Sequence, residues 1–129
     1  MPKYRQKTSH RILVVEDEQP VLERLEQQLS GAGYSIVTAV DGEQALEHIA
    51  NNVFDLILLD IVMPKKNGFE VLIELKSKNH PTPVIIASSL GHKDDMRYAL
   101  QLGAQEYFLK ATHFPDIVSH IDRVLRNKK

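Results

Sequence analysis

Residues Leu56-Ile57-Leu58-Leu59 are apolar without alternation, and the chain breaks soon after them, at Asp60, Pro64 and the Asn67-Gly68 pair. An apolar run of this length suits a strand buried on both faces of a parallel sheet, although periodicity alone leaves a helix segment open. The proline and the Asn-Gly pair supply the stop that favours the strand. Asp60 then stands where a buried strand opens into a loop, and open α/β sheets bind ligands in the crevice beyond such strand ends. Taken alone, an Asp in that place could as well cap the next turn. The rest of the chain decides between the two.

The same design recurs. Arg11-Ile12-Leu13-Val14-Val15 is β-branched and apolar and ends in Glu16-Asp17-Glu18, so it reads as a second buried strand. Pro20 suits the first turn of a helix, with Val21, Leu22, Leu25 and Leu29 on one face and Gly31 and Gly33 as the stop. Tyr34 to Val40 is β-rich. Asp41-Gly42 opens a second helix, with Asp41 as N-cap, Ala45, Leu46 and Ile49 on the buried side, and Asn51-Asn52 at its end. Phe69, Leu72, Ile73 and Lys76 mark a third helix with a basic last turn, bounded by Pro81 and Pro83. Val84 to Ala87 is a fourth strand ending in Ser88-Ser89. The following helix, about His92 to Leu102, buries little through Met96, Ala99, Leu100 and Gly103 and is expected to be the most mobile. Tyr107-Phe108-Leu109 is a short fifth strand ending at Lys110. A last helix carries Phe114, Ile117, Val118, Ile121, Val124 and Leu125 at helical spacing, with Pro115 near its start.

Five strands alternating with five helices predict right-handed crossovers and a doubly wound α/β domain with helices on both faces of a five-stranded parallel sheet. Polar groups then gather at one sheet edge: Glu16 and Asp17, Asp60, Ser88 and Ser89, and Lys110. Only the second strand ends without such a group.

Composition narrows the function. At 129 residues and 43% hydrophobic content the chain fits one domain with a real core. It has no cysteine, which excludes disulfides and thiolate metal sites. Apolar runs are too short for a membrane span and Met1 to Arg11 lacks a signal-peptide centre, so a soluble cytoplasmic protein is expected. Lys3, Arg5, Lys7 and Arg11 near one end and Arg123, Arg126, Lys128 and Lys129 at the other leave 8 basic against 17 acidic side chains between positions 12 and 122. Short basic ends are ordinarily just solvated, and no recognition helix with basic spacing is present, so nucleic-acid binding is poorly supported.

Three carboxylates converging from two strands repel one another unless a cation lies between them. Hard oxygen donors without His or Cys favour Mg2+ or a similar ion, which usually leaves room for a phosphorylated ligand. Lys110 adds a cation and Ser88 a hydroxyl at the same edge. Asp60 is the plausible nucleophile in a place where phosphoryl oxygens are neutralised and hydrogen-bonded.

An acidic pair after strand 1, D-x-x-M-P-x-x-N-G after strand 3 (Asp60, Met63, Pro64, Asn67, Gly68), Ser88 after strand 4 and Lys110 after strand 5 together resemble the receiver domains of two-component response regulators, of the single-domain, chemotaxis-regulator-like kind. The resemblance covers about Arg11 to Leu125. It implies a receiver domain at 11–126, with a basic flexible tail at 1–10 and a short tail at 127–129. It also implies the flavodoxin-like strand order 2-1-3-4-5, which the handedness rules for such sheets accommodate. Asp60 would accept a phosphoryl group from a histidine kinase or phosphotransfer protein. Asp17, Asp60 and the Val62 carbonyl would hold Mg2+ directly, with Glu16 acting largely through water, and Ser88 and Lys110 would hold the phosphoryl oxygens. Movement of Ser88 would let Tyr107 turn inward, altering the face made by helix 4, strand 5 and helix 5 that an output protein reads. A homodimer linked to phosphorylation stays open.

Two departures from the family stand out. Ala111 replaces the usual proline after Lys110, so a trans bond or an altered loop is expected there, since a non-proline cis bond costs about 2.5 to 4 kcal/mol. Val62 and Leu90, which border the phosphoryl site in the resemblance, are apolar and cannot orient an attacking water, which implies a long-lived phosphoaspartate. The expected protein is therefore a stand-alone phosphoacceptor and not an enzyme. The alternatives are a pseudo-receiver that binds partners without phosphorylation, a receiver excised from a longer regulator, and a Mg2+-dependent phosphatase. The last is disfavoured because Val62 stands where such enzymes carry a second Asp.

Overall fold

The computed structural model describes residues 10–110 and 114–126. Its elements run β1 (Arg11–Val15), α1 (Gln19–Gly31), β2 (Ser35–Ala39), α2 (Gly42–Asn51), β3 (Leu56–Leu59), α3 (Gly68–Ser77), β4 (Val84–Ser88), α4 (Lys93–Gln101), β5 (Glu106–Leu109), a 3-10 turn (Phe114–Asp116) and α5 (Ile117–Arg126). All strand pairs are parallel and the order is β2-β1-β3-β4-β5, as the resemblance implies.

The unalternating apolar strands have the expected cause. Successive side chains point to opposite faces of a strand, so a strand covered on both sides must be apolar at every position. Leu13, Val15, Ile57, Leu59 and Ile86 pack with Ala45, Ile49, Val71, Leu72, Leu75 and Ala99 on the face covered by α2, α3 and α4. Ile12, Val14, Leu56, Leu58 and Ile85 pack with Leu22, Leu25, Leu29, Ile117, Ile121 and Val124 on the face covered by α1 and α5. Each fully buried side chain of this size stabilises the fold by roughly 1.5 to 3 kcal/mol. The central strands are therefore a rigid base for whatever their ends carry.

The third helix forms where its residues mark one; its buried stripe is Gly68, Val71, Leu72 and Leu75, while Ile73 remains 45% exposed. Gly68 seats its first turn against the Asp60 backbone. One boundary differs from expectation. The last helix begins at Ile117, because Phe114 to Asp116 forms a 3-10 turn around Pro115. The weak α4 is as expected: it buries only Ala99. Residues 1–9 and 127–129 and the Lys110-Ala111 bond lie outside the described residues. Among those described, no helix is long and apolar enough to cross a membrane.

A polar tie joins the outer elements. The Tyr34 hydroxyl, just before β2, donates to the Asp122 carboxylate on α5. Burial pushes the Tyr34 phenol well above its ordinary value, and the Asp122 bond and charge push it further. A hydrogen bond to a charged group in such a place contributes about 1.5 to 3 kcal/mol. We expect Tyr34→Phe to lower the unfolding free energy by about 1 to 2 kcal/mol, read from urea midpoints at constant slope. An unchanged midpoint would mean that water serves the Asp122 carboxylate equally well.

Candidate functional site

Glu16 and Asp60 reach the site because a strand ladder runs one residue past each apolar run. The Glu16 N–H donates to the Ala39 carbonyl at 3.0 Å and the Asp60 N–H to the Val15 carbonyl at 3.0 Å. Both side chains are buried at the carboxyl edge, while Asp17 is exposed at its rim. One oxygen from each of Glu16, Asp17 and Asp60 lies within 4.8 Å of the others. The expected carboxylate cluster is thus assembled.

Lys110 enters from the far end of β5. Its Nζ is 2.6 Å from Glu16 Oε1 and 3.3 Å from Asp60 Oδ2. The absence of proline after it does not keep the ammonium from the site. Glu16 is its nearer counter-ion, a role the sequence reading did not give to that residue. Glu16 also accepts from the Glu18 N–H at 3.2 Å, which tightens the turn into α1, and α1 has no side-chain cap of its own.

The charge balance follows. Burial pushes both the Glu16 and the Asp60 carboxyls above their ordinary values, and the bonds and charge of Lys110 only partly oppose this. For Lys110, burial alone would lower the value, but the Glu16 bond and the Asp60 charge reverse the direction and hold it protonated. One ammonium does not offset three carboxylates, so the site keeps an excess of negative charge. An all-oxygen donor set with residual negative charge fits a hard divalent cation such as Mg2+.

The loop after Asp60 is held by its own backbone. Asp60 Oδ1 accepts from the Ile61 N–H at 2.8 Å, and the Gly68 N–H donates to the Ile61 carbonyl at 2.8 Å. A Cβ at Gly68 would lie 2.4 Å from the Asp60 carbonyl oxygen, so the motif needs glycine for close approach. Asn67 accepts from the Glu70 N–H while Glu70 accepts from the Asn67 N–H. This capping box starts α3 and was missed by reading Asn67-Gly68 only as a stop; the N-x-x-E spacing carried the signal. The Val62 side chain is exposed.

Ser88 is fully buried, and its Oγ accepts from the Leu90 N–H at 3.1 Å. The Tyr107 hydroxyl donates to the Leu90 carbonyl at 2.7 Å. Burial raises the Tyr107 phenol, with hydrogen bonding to Ser88 opposing. Ser88 and Tyr107 therefore meet through the backbone of Leu90, whose part in the site was not visible from its apolar side chain. In this structure the Tyr107 hydroxyl is already turned toward the β4–α4 loop.

Comparison with known proteins agrees with this geometry. The family model for the response regulator receiver domain matches residues 12–122. The transcriptional regulatory protein CpxR of Escherichia coli is 38% identical over 117 residues, which cover 91% of this chain and 50% of CpxR. The chain thus spans about half the length of the curated relatives it matches. The receiver domain of Francisella response regulator 1452 superimposes with a TM-score of 0.89 at 26% identity, covering 94% of this chain and 100% of that one. The response regulator TrrA of Thermotoga maritima, solved in complex with Mg2+ and BeF, gives a TM-score of 0.79 at 34% identity over 88% of this chain and 97% of its own.

The raised carboxyls have a thermodynamic consequence. Folded chains bind protons there that unfolded chains have released, so without metal the stability rises as pH falls through the raised folded-state values. The gain is complete only below the ordinary values of 4.5 for Glu16 and 3.8 for Asp60. We expect the metal-free urea midpoint to be higher in mild acid than at neutral pH, less so in Asp60→Asn, and Mg2+ to raise the neutral-pH midpoint of the wild type. A midpoint indifferent to Mg2+, with no acid gain, would contradict this electrostatic account.

Proposed function

Because the chain belongs to the response regulator receiver family, we propose that it is a cytoplasmic phosphoacceptor that takes a phosphoryl group on Asp60 from a histidine kinase or phosphotransfer protein. The observation that carries this reading is the buried Asp60 carboxylate, grouped with those of Glu16 and Asp17 and 3.3 Å from the Lys110 ammonium. In the transfer an Asp60 oxygen forms a bond to phosphorus as the phosphorus–nitrogen bond of a phosphohistidine breaks, and the electron pair leaves with the imidazole. Asp17, Asp60 and the Val62 carbonyl are the groups that would hold Mg2+, with Glu16 mainly through water. Bound there, the ion supplies charge neutralisation to the phosphoryl oxygens. Lys110 transfers part of its bonding from Glu16 to a phosphoryl oxygen. The Ser88 hydroxyl donates to another.

The output follows from what Ser88 gives up. If Ser88 Oγ turns to the phosphoryl group, the Leu90 N–H loses its acceptor, and Leu90 is the residue whose carbonyl holds Tyr107. The β4–α4 loop and the lightly buried α4 would shift, with Tyr107 fixing the new arrangement. Phosphorylation here biases two states of the face made by α4, β5 and α5, which a protein partner then distinguishes. The stand-alone form of this reading gives the output to a separate protein.

Incubation with acetyl phosphate and Mg2+ should add one phosphoryl mass to the wild type and none to Asp60→Asn. With apolar Val62 and Leu90 beside it, the adduct should outlast repurification in Mg2+. No adduct would favour a pseudo-receiver, and turnover of unrelated phosphomonoesters a phosphatase. Tyr107→Ala should be phosphorylated at close to the wild-type rate while binding its output partner more weakly; equal loss of both would remove Tyr107 from the switch.

A further inference from the structure

The Asp41-Gly42 junction at the start of α2 contributes no side chain to the acidic site, yet it contacts the phosphoacceptor loop. Asp41 caps the helix by accepting from the Gln44 N–H at 2.8 Å. Gly42 is the first helical residue, and its N–H, with no partner inside the helix, donates to the Lys66 carbonyl at 3.1 Å. A Cβ at Gly42 would lie 2.3 Å from the Lys66 oxygen, 2.6 Å from Lys66 Cβ and 2.8 Å from the Lys66 carbonyl carbon. Two of those three atoms are backbone and cannot swing aside.

Local structure does not ask for glycine here. Gly42 is not among the residues with positive φ, and in a helix glycine is less favourable than alanine. Close approach of the loop is the feature that does require it. Within that loop Lys65 holds a φ of 67° without being glycine, a conformation that persists only where the surroundings fix it. The fixing contacts lie on either side: Gly42 on Lys66, and Gly68 on Ile61. Between them runs Val62, whose carbonyl is assigned above to Mg2+.

We propose that Gly42 is a positioning residue for phosphotransfer: by admitting the Lys66 carbonyl against the start of α2, it sets the path of the loop that carries the Val62 carbonyl. This rests on the phosphoacceptor reading. The second copy of the same principle is Gly68, where the loop closes against the Asp60 backbone.

The test compares Gly42→Ala with Glu43→Ala, an exposed neighbour in the same helical turn, in the full chain. Gly42→Ala should keep its far-UV circular dichroism, lose about tenfold in Mg2+ affinity by calorimetry, the scale of loss seen when supports of metal ligands are removed, and be phosphorylated more slowly by acetyl phosphate at saturating Mg2+. Glu43→Ala should match the wild type in both. A Gly42→Ala protein with a lower melting temperature but wild-type Mg2+ affinity and phosphorylation rate would overturn the proposal. Should that variant fail to fold, amide exchange in the wild type decides: Mg2+ should protect the Gly42 N–H more than the Ala45 N–H of the same helix, and equal protection overturns it. A wild type that takes no phosphoryl group counts against the function proposed above, whereas a phosphorylated wild type with an indistinguishable Gly42→Ala counts against Gly42 alone.

Discussion

Carboxylates do not gather out of water without a reason, and here the reason is the sheet. Parallel pairing sends the ends of β1 and β3 to one edge, and the two-sided core leaves Glu16 and Asp60 little solvent. The Lys110 ammonium makes that arrangement tolerable by bonding to both. Breaking such a group by removing one partner would leave an uncompensated buried charge, which is far more costly than an exposed one. The fold and the chemistry are joined at this point, because the elements that carry the three groups must be in register for the charges to be met.

Two kinds of residue maintain that register. The apolar strands β1, β3 and β4 do so from below, filled on both faces, so that none of the three can slip by one position without turning its whole side-chain set. The glycines of the loops do so from above, where Gly68 admits the Asp60 carbonyl and Gly42 the Lys66 carbonyl. A site placed on packed strand ends and closed by backbone contacts needs few side chains of its own. That accounts for how few of the residues around Asp60 carry chemistry.

Much of this was legible in the sequence. β1, β3 and β4 were readable as apolar runs that stop at a polar residue, and the Asp41 cap of α2 lay in the Asp-Gly pair. Glu16, Asp17, Asp60 and Lys110 could be assigned to one edge because they follow strands, and Ser88 because it ends one. What stayed hidden depends on tertiary contact. Phe69, Leu72, Ile73 and Lys76 mark α3 by their spacing, but the residues it buries are Gly68, Val71, Leu72 and Leu75, with Gly68 seated against the Asp60 backbone. The Tyr34–Asp122 tie joins residues 88 positions apart, and no local pattern announces it. The preference of Lys110 for Glu16 over Asp60 is a matter of distances, which spacing along a chain does not encode.

The covering of its two edges gives the sheet a lopsided mechanics. β2 and β5 each pair with one strand only, whereas β3, which leads to Asp60, is flanked by β1 and β4. A displacement begun at the middle is resisted by a strand on either side, but at a rim it meets hydrogen-bonded backbone from one direction only. The rims differ in what lies over them: α2, which packs on β2, buries Gly42, Ala45 and Ile49, while α4, which packs on β5, buries only Ala99. A small rearrangement beside Ser88 is therefore spent on the lightly covered flank of the molecule and not diluted over the whole.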